Sequence, residues 1–117
     1  FEPIVEGMLK GANIPGAGTS YRAYLPGWDV CGKTGTAQNP IGRDHSTFLS
    51  FAPKDNPKIA ISVYVEHGGF GATAALPIAS LLEELYLTDT ITRPQLVEQV
   101  KNLPYYLPRR YQDVKKQ

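Results

Sequence analysis

From Val30 to Glu66 the chain reads VCGKTGTAQNPIGRDHSTFLSFAPKDNPKIAISVYVE. No helical period runs through it. Asn39-Pro40-Ile41-Gly42 and Pro53-Lys54-Asp55-Asn56-Pro57 punctuate it with turn-forming residues. The segments around them, Trp28–Gln38, Ser46–Ala52 and Lys58–Glu66, are predicted strands. The last is the clearest: β-branched Ile59, Ile61, Val63 and Val65 share one face, with Ala60, Ser62 and Tyr64 on the other. Links this short join antiparallel strands, so the three form a meander. The two-sided pattern of Lys58–Glu66 predicts a strand built for a neighbour on each side, and in this chain its outer edge has no partner.

Outward from the meander the period changes to that of helices. Phe1, Ile4, Val5, Met8 and Leu9 make an apolar stripe, Pro3 suits a first turn, and Gly11 is the expected stop, followed by a loop to Gly18. Beyond Glu66, Gly68-Gly69-Phe70-Gly71 breaks the chain. Thr73 is the expected cap of a helix through Ala75, Ile78, Ala79, Leu82, Leu85 and Tyr86. Thr92-Arg93-Pro94 opens another, with Leu96, Val97 and Val100 apolar, and Pro104 and Pro108 end regular structure. The expected class is α+β: an antiparallel three-strand meander with flanking helices. Residues 1–87 form the main unit, and 88–117 a helical, Pro-broken extension.

Composition narrows the functions. Hydrophobic residues make up 42% and charged residues 20%, which excludes wholesale disorder. A net charge of +1 argues against a nucleic-acid coat. The basic residues Lys101, Arg109, Arg110, Lys115 and Lys116, interleaved with Tyr105, Tyr106 and Tyr111, are expected to form a solvated tail. No apolar run approaches the length of about 20 residues that spans a bilayer, so no membrane segment is expected in this chain. The chain begins at Phe1 rather than Met, which suggests a piece of something longer.

Two motifs overlap in the first strand. Gly27-x-x-x-x-Gly32-Lys33-Thr34 matches a phosphate-binding loop. That chemistry needs a helix to start at Lys33-Thr34, yet Gly35 and then Asn39-Pro40 follow, and bulky Trp28 and Val30 occupy the would-be loop. Nucleotide binding is therefore a distant third reading. Lys33-Thr34-Gly35-Thr36 suits a strand instead. An edge strand offers free N–H and C=O groups to an extended peptide-like ligand, Lys33 supplies positive charge, and two hydroxyls suit a carboxylate. Alternation puts Lys33 and Gly35 on one face and Thr34 and Thr36 on the other, so the backbone must do part of the binding.

Val30-Cys31-Gly32-Lys33-Thr34-Gly35-Thr36-Ala37-Gln38 resembles the third signature of the penicillin-recognising serine transferases. Asp44-His45, Phe51-Ala52-Pro53, Asp55-Asn56-Pro57-Lys58-Ile59-Ala60 and Val65-Glu66-His67-Gly68-Gly69 follow in order. Together they resemble the end of the transpeptidase domain of class B penicillin-binding proteins, nearest the penicillin-binding protein 2 type. The resemblance covers residues 1–87.

It implies the C-terminal part of a β-lactamase/transpeptidase-like fold, with these strands the last three of five and the missing N-terminal part supplying the neighbour of Lys58–Glu66. The implied activity is D,D-transpeptidation of peptidoglycan stem peptides through a serine acyl-enzyme that β-lactams trap. No cofactor or metal is implied, and the family implies an inner-membrane protein facing the periplasm. Lys33, Thr34, Gly35 and Thr36 would be substrate-binding, with the Thr36 N–H an oxyanion donor. The family's other signatures, S-x-x-K and S-x-N, do not occur: none of Ser20, Ser46, Ser50, Ser62 and Ser80 has Lys three residues on or Asn two on. The nucleophile and base are therefore expected elsewhere, and this chain alone is expected to be inactive. The implied partners are a stem peptide or β-lactam, the rest of its own domain, or a second copy paired through the exposed strand edge. A non-catalytic module gripping a peptide with the same strand is the alternative.

The lone Cys31 is expected to be a small buried hydrophobe rather than a nucleophile. His45 and His67 lack a metal-ligand spacing, and His45 beside Asp44 is expected to order a strand entry. Nothing in the spacing brings Asp44 to Glu66 as an acid–base pair.

Overall fold

The computed structural model describes residues 1–104. The expected break at Pro108 and the basic, tyrosine-rich run from Tyr105 lie outside the described residues. The elements follow in the order α1 (Glu2–Asn13), a single 3-10 turn at Tyr21–Ala23, β1 (Cys31–Ala37), β2 (His45–Ala52), β3 (Ile59–Val65), α2 (Ala75–Thr88) and α3 (Pro94–Lys101). The sheet order is β1-β2-β3, antiparallel throughout, so β2 is central and both β1 and β3 are edges. This is the expected meander with flanking helices. β1 starts at Cys31 rather than near Trp28, because the Leu25–Trp28 bridge closes a separate turn first, with Gly27 at φ 80°.

The register assigns the faces. Lys33, Leu49 and Ser62 stand in one row, Gly35, Thr47 and Tyr64 in another, on the same side of the sheet. Gly32, Ser50 and Ile61, then Thr34, Phe48 and Val63, occupy the opposite side. α2 covers that second side: Ser50 Oγ donates to Glu83 Oε1 at 2.7 Å, and Phe48, Leu76 and Ala79 are buried together. Gly32 is required there, since a Cβ would lie 2.7 Å from the Phe48 ring.

α1 leans on the first side, where Pro3, Ile4, Gly7 and Met8 face Lys33 and Leu49. Its stripe is only half used: Ala12 is buried, whereas Phe1 and Ile4 are exposed. The rest of that side is open, with Leu49 51% and Tyr64 59% exposed.

Two further local expectations are corrected. α1 does not stop at Gly11 but runs to Asn13. There the Asn13 amide donates to Leu9 O at 2.7 Å and to Val30 O at 2.8 Å, so a tertiary bond to the entry of β1 extends the helix. The close approach here is made by Gly18, whose Cβ would lie 3.1 Å from Gly11 Cα. Thr73 does not cap α2. The residue at the cap position is Ala74, and the Ala75 N–H is taken by Ser46 Oγ of β2 at 2.9 Å, while that hydroxyl donates to Phe70 O at 2.9 Å. An orphan amide at a helix start is thus satisfied across the fold rather than locally.

α3 has Pro94 in its first turn, as the Thr92-Arg93-Pro94 signal predicts. Arg93 ties it to α2. Its Nε donates to Glu84 Oε2 at 3.0 Å, Nη1 to Ser80 Oγ at 2.9 Å and Nη2 to Ser80 O at 3.0 Å. The Thr92 amide and hydroxyl also donate to Glu84 Oε1. Burial alone would raise the Glu84 carboxyl, but these Thr92 and Arg93 donors outweigh it and hold it below the usual carboxylate range. Past α3 the chain reaches back to the sheet connections, where Arg43 Nη1 donates to Pro104 O at 3.2 Å.

Candidate active-site wall

β1 divides the predicted site residues between two clefts. Thr34 and Thr36 line an open cleft of about 570 Å³, with Thr19, Arg22 and the Phe70–Thr73 loop opposite them. The Thr19 and Thr34 hydroxyls are hydrogen-bonded to each other. Lys33 lines a different cleft, of about 540 Å³, between α1 and Leu49. Its Nζ donates to Thr34 O at 2.7 Å, lying back along the strand. Alternation therefore separates the ammonium from the two hydroxyls, and an extended ligand on the β1 edge would meet Lys33 on one flank and the threonines on the other.

Two glycines hold this wall thin. A Cβ on Gly35 would collide with the Thr47 hydroxyl directly across the ladder. Behind Gly35 lies Gly71: a Cβ there would fall 2.5 Å from Gly35 O, 2.5 Å from Thr47 O and 2.8 Å from Gly35 N. The Gly71 N–H also points at Thr36 Oγ1 at 3.4 Å. The glycine-rich break after Glu66 thus backs the Lys33–Thr36 strand on the threonine side. In the sequence it reads as a chain break, with Gly68 and Gly69 part of the family resemblance. Its signal was the density of glycine at 68, 69 and 71. Thr19 and Arg22 carried no local signal, because only tertiary folding brings them to β1.

The phosphate-loop reading fails on geometry. Gly32, Lys33 and Thr34 are consecutive residues of β1, so no helix N-terminus stands at Lys33-Thr34 to receive a phosphate. Cys31 is buried, and burial pushes its thiol up to about 11, partly offset by Lys54, which leaves it inert at neutral pH.

His45 and His67 order the end of the sheet. His45 Nδ1 accepts the His67 N–H at 2.9 Å, and the rings lie 4.8 Å apart. Asp44 Oδ1 accepts the Asn39 N–H at 2.9 Å and Asp44 O accepts that of Gly69 at 2.9 Å, closing the β1–β2 connection against the glycine loop. Glu66 is exposed, with His67 as its ion-pair neighbour at 3.9 Å. Among the described residues no group of three or more His, Cys, Asp or Glu is arranged to hold a metal.

Comparison with known proteins gives this geometry its class. In the crystal structure of Pseudomonas aeruginosa PBP2 in complex with WCK 5153, the chain matches with TM-score 0.63 and 35% identity, over 75% of its own length and 19% of that chain. The ceftriaxone acyl-enzyme of Mycobacterium tuberculosis penicillin-binding protein A matches with TM-score 0.53 and 32% identity, over 56% and 17%. The fold is that of the penicillin-recognising transpeptidases.

The family described as "Penicillin binding protein transpeptidase domain" matches residues 3–83. The chain belongs to that family and is of the PBP2 type. The Haemophilus influenzae peptidoglycan D,D-transpeptidase MrdA is 32% identical over 107 residues, covering 78% of this chain and 16% of the relative. The chain thus spans under a fifth of the length of the proteins it matches.

Proposed function

We propose that this chain forms the substrate-binding wall of a peptidoglycan D,D-transpeptidase, through residues 1–87, with 88–117 an appended extension. The observation that carries the reading is β1 itself. It is an edge strand, thinned by glycine, with Thr34 and Thr36 on one flank and Lys33 on the other. A stem peptide, or a β-lactam in its place, lies along β1 as an added strand. The Thr34 and Thr36 hydroxyls receive its carboxylate, and the Thr36 N–H donates to the oxyanion. An oxyanion donor is worth about 10²–10³ in rate.

The nucleophile belongs to an S-x-x-K serine outside these 117 residues. Its Oγ bonds to the acyl carbon, the amide to the leaving residue breaks, and an amine of a second stem peptide takes the acyl group. Lys33, on the opposite flank from the threonines, serves proton traffic. The name of the Haemophilus relative and the ceftriaxone acyl-enzyme of the Mycobacterium tuberculosis protein support this assignment. On this reading the parent protein sits at the inner membrane, facing the periplasm, as the family resemblance implies. Within the described residues no helix is long and apolar enough to cross a membrane.

Lys33→Ala in the full-length protein tests the reading. Lys33 is exposed and, among the described residues, its ammonium bonds to its neighbour's carbonyl alone, so its loss leaves the melting temperature nearly unchanged. The rate of acylation by penicillin falls by well over tenfold. An unchanged acylation rate with a collapsed melting temperature would make Lys33 a structural residue.

A further inference from the structure

Resting on that reading, we infer that Arg22 is a substrate-binding residue: its guanidinium, rather than the Lys33 ammonium, is the positive charge that meets the substrate carboxylate beside Thr34 and Thr36. The two cations near β1 lie in different places. Lys33 faces the cleft under α1 with Ile4, Met8 and Leu49, and its Nζ is engaged by Thr34 O. Arg22 stands between the α3 cleft it lines with Arg93 and Gln99 and the threonine cleft, whose wall also holds Thr19, Thr34, Thr36 and Thr73. No acidic side chain lines that cleft, and among the described residues the Arg22 guanidinium forms no hydrogen bond or ion pair. A cation without an acidic neighbour, beside four threonines of whose hydroxyl protons the Thr19–Thr34 bond uses only one, makes a site for an anion.

The base of Arg22 is held while its head is free. Ser20 and Ala23 on either side are buried, Tyr21 and Tyr24 stack at 6.0 Å, and Arg93 Nη1, anchored on α2, reaches Arg22 O at 3.5 Å. A planar guanidinium meets a carboxylate with two parallel bonds, which an ammonium cannot do. Arg22 therefore sets a preference for substrates that end in a free carboxylate.

The test compares acylation of the full-length protein by a β-lactam bearing its free carboxylate and by the neutral methyl ester of the same compound. Arg22→Gln raises the concentration for half-maximal acylation about tenfold for the acid, the scale of one charge-assisted bond. It leaves the ester and the maximal rate unchanged, and Arg22→Lys recovers part of the loss. Since the side chain is exposed and unbonded, the melting temperature does not move. Thr34→Val is the control. If it abolishes the preference for acid over ester while Arg22→Gln does not, the assignment to Arg22 is overturned and the transpeptidase reading stands. If the wild-type protein is not acylated at all, the functional reading fails with it.

Discussion

Gly71 is held more tightly than Gly35, although Gly35 lies inside the motif. A Cβ at 35 meets a hydroxyl that a χ1 rotation of Thr47 moves away, whereas one at 71 meets three backbone atoms that cannot move singly. Gly71→Ala should therefore cost about 1–3 kcal/mol, the usual penalty of overpacking, and displace the Lys33–Thr36 strand. Gly35→Ala should cost less stability. Paired melting curves of the two variants, with acylation rates alongside, check this order.

Glu83 gives a second residue-scale prediction. It is fully buried, Ser50 holds one oxygen, and Oε2 has no hydrogen-bond partner among the described residues. Burial pushes its carboxyl up to about 6, against the opposing pull of Ser50 and Arg93. A raised folded value means that the neutral form stabilises. That contribution is complete below the ordinary value of about 4.5 and is lost as pH rises through about 6. Glu83→Gln keeps an acceptor for Ser50 and removes the titration, so it should raise stability at pH 8 by about 1–2 kcal/mol and flatten the profile between pH 4.5 and 6. A variant less stable than wild type at pH 8 would contradict it.

At the scale of elements, the α2–α3 junction depends on one cation. Arg93 joins Glu84 and Ser80, and the Glu84 side chain is 5% exposed. Removing the partner of a buried carboxylate costs about 3–5 kcal/mol. Arg93→Ala should approach the lower end of that range, because Thr92 still donates to Glu84, and protease should then release residues beyond α2 first. Intact mass after limited proteolysis reads this out.

The sheet was legible in sequence because alternation and turn residues agree there: Ile59, Ile61, Val63 and Val65 are the half-buried face, and Pro53–Pro57 is the tight link, its Ala52–Pro53 peptide cis. The misread boundaries are those where a distant atom decides. Ser46 caps α2 in place of Thr73, and Val30 O receives Asn13 beyond Gly11. The site was half legible for the same reason. Lys33–Thr36 is contiguous, whereas Thr19, Arg22 and Gly71 reach β1 only through the fold.

For the whole molecule, one edge and one face are unfinished. Among the described residues β3 pairs only with β2, and on the side that α2 does not cover Leu49 and Tyr64 are exposed, with Leu82, Leu85 and Tyr86 exposed on α2 itself. An apolar strand edge of this kind is a template for another chain. In isolation the chain should self-associate or precipitate, and light scattering across a tenfold dilution should show a mass that falls with concentration. A monodisperse, cooperatively melting monomer throughout would mean that three strands close the core unaided.

The central claim, that this chain is the binding wall and not the nucleophile of a penicillin-binding transpeptidase, is tested most directly by locating the β-lactam adduct. The full-length protein and the isolated chain are each incubated with excess penicillin and digested, and the labelled peptide is identified by mass. The account predicts one adduct in the full-length protein, on a serine outside residues 1–117, and none on the isolated chain. An adduct on Ser20, Ser46, Ser50, Ser62 or Ser80 would contradict it, as would a full-length protein that penicillin leaves unlabelled.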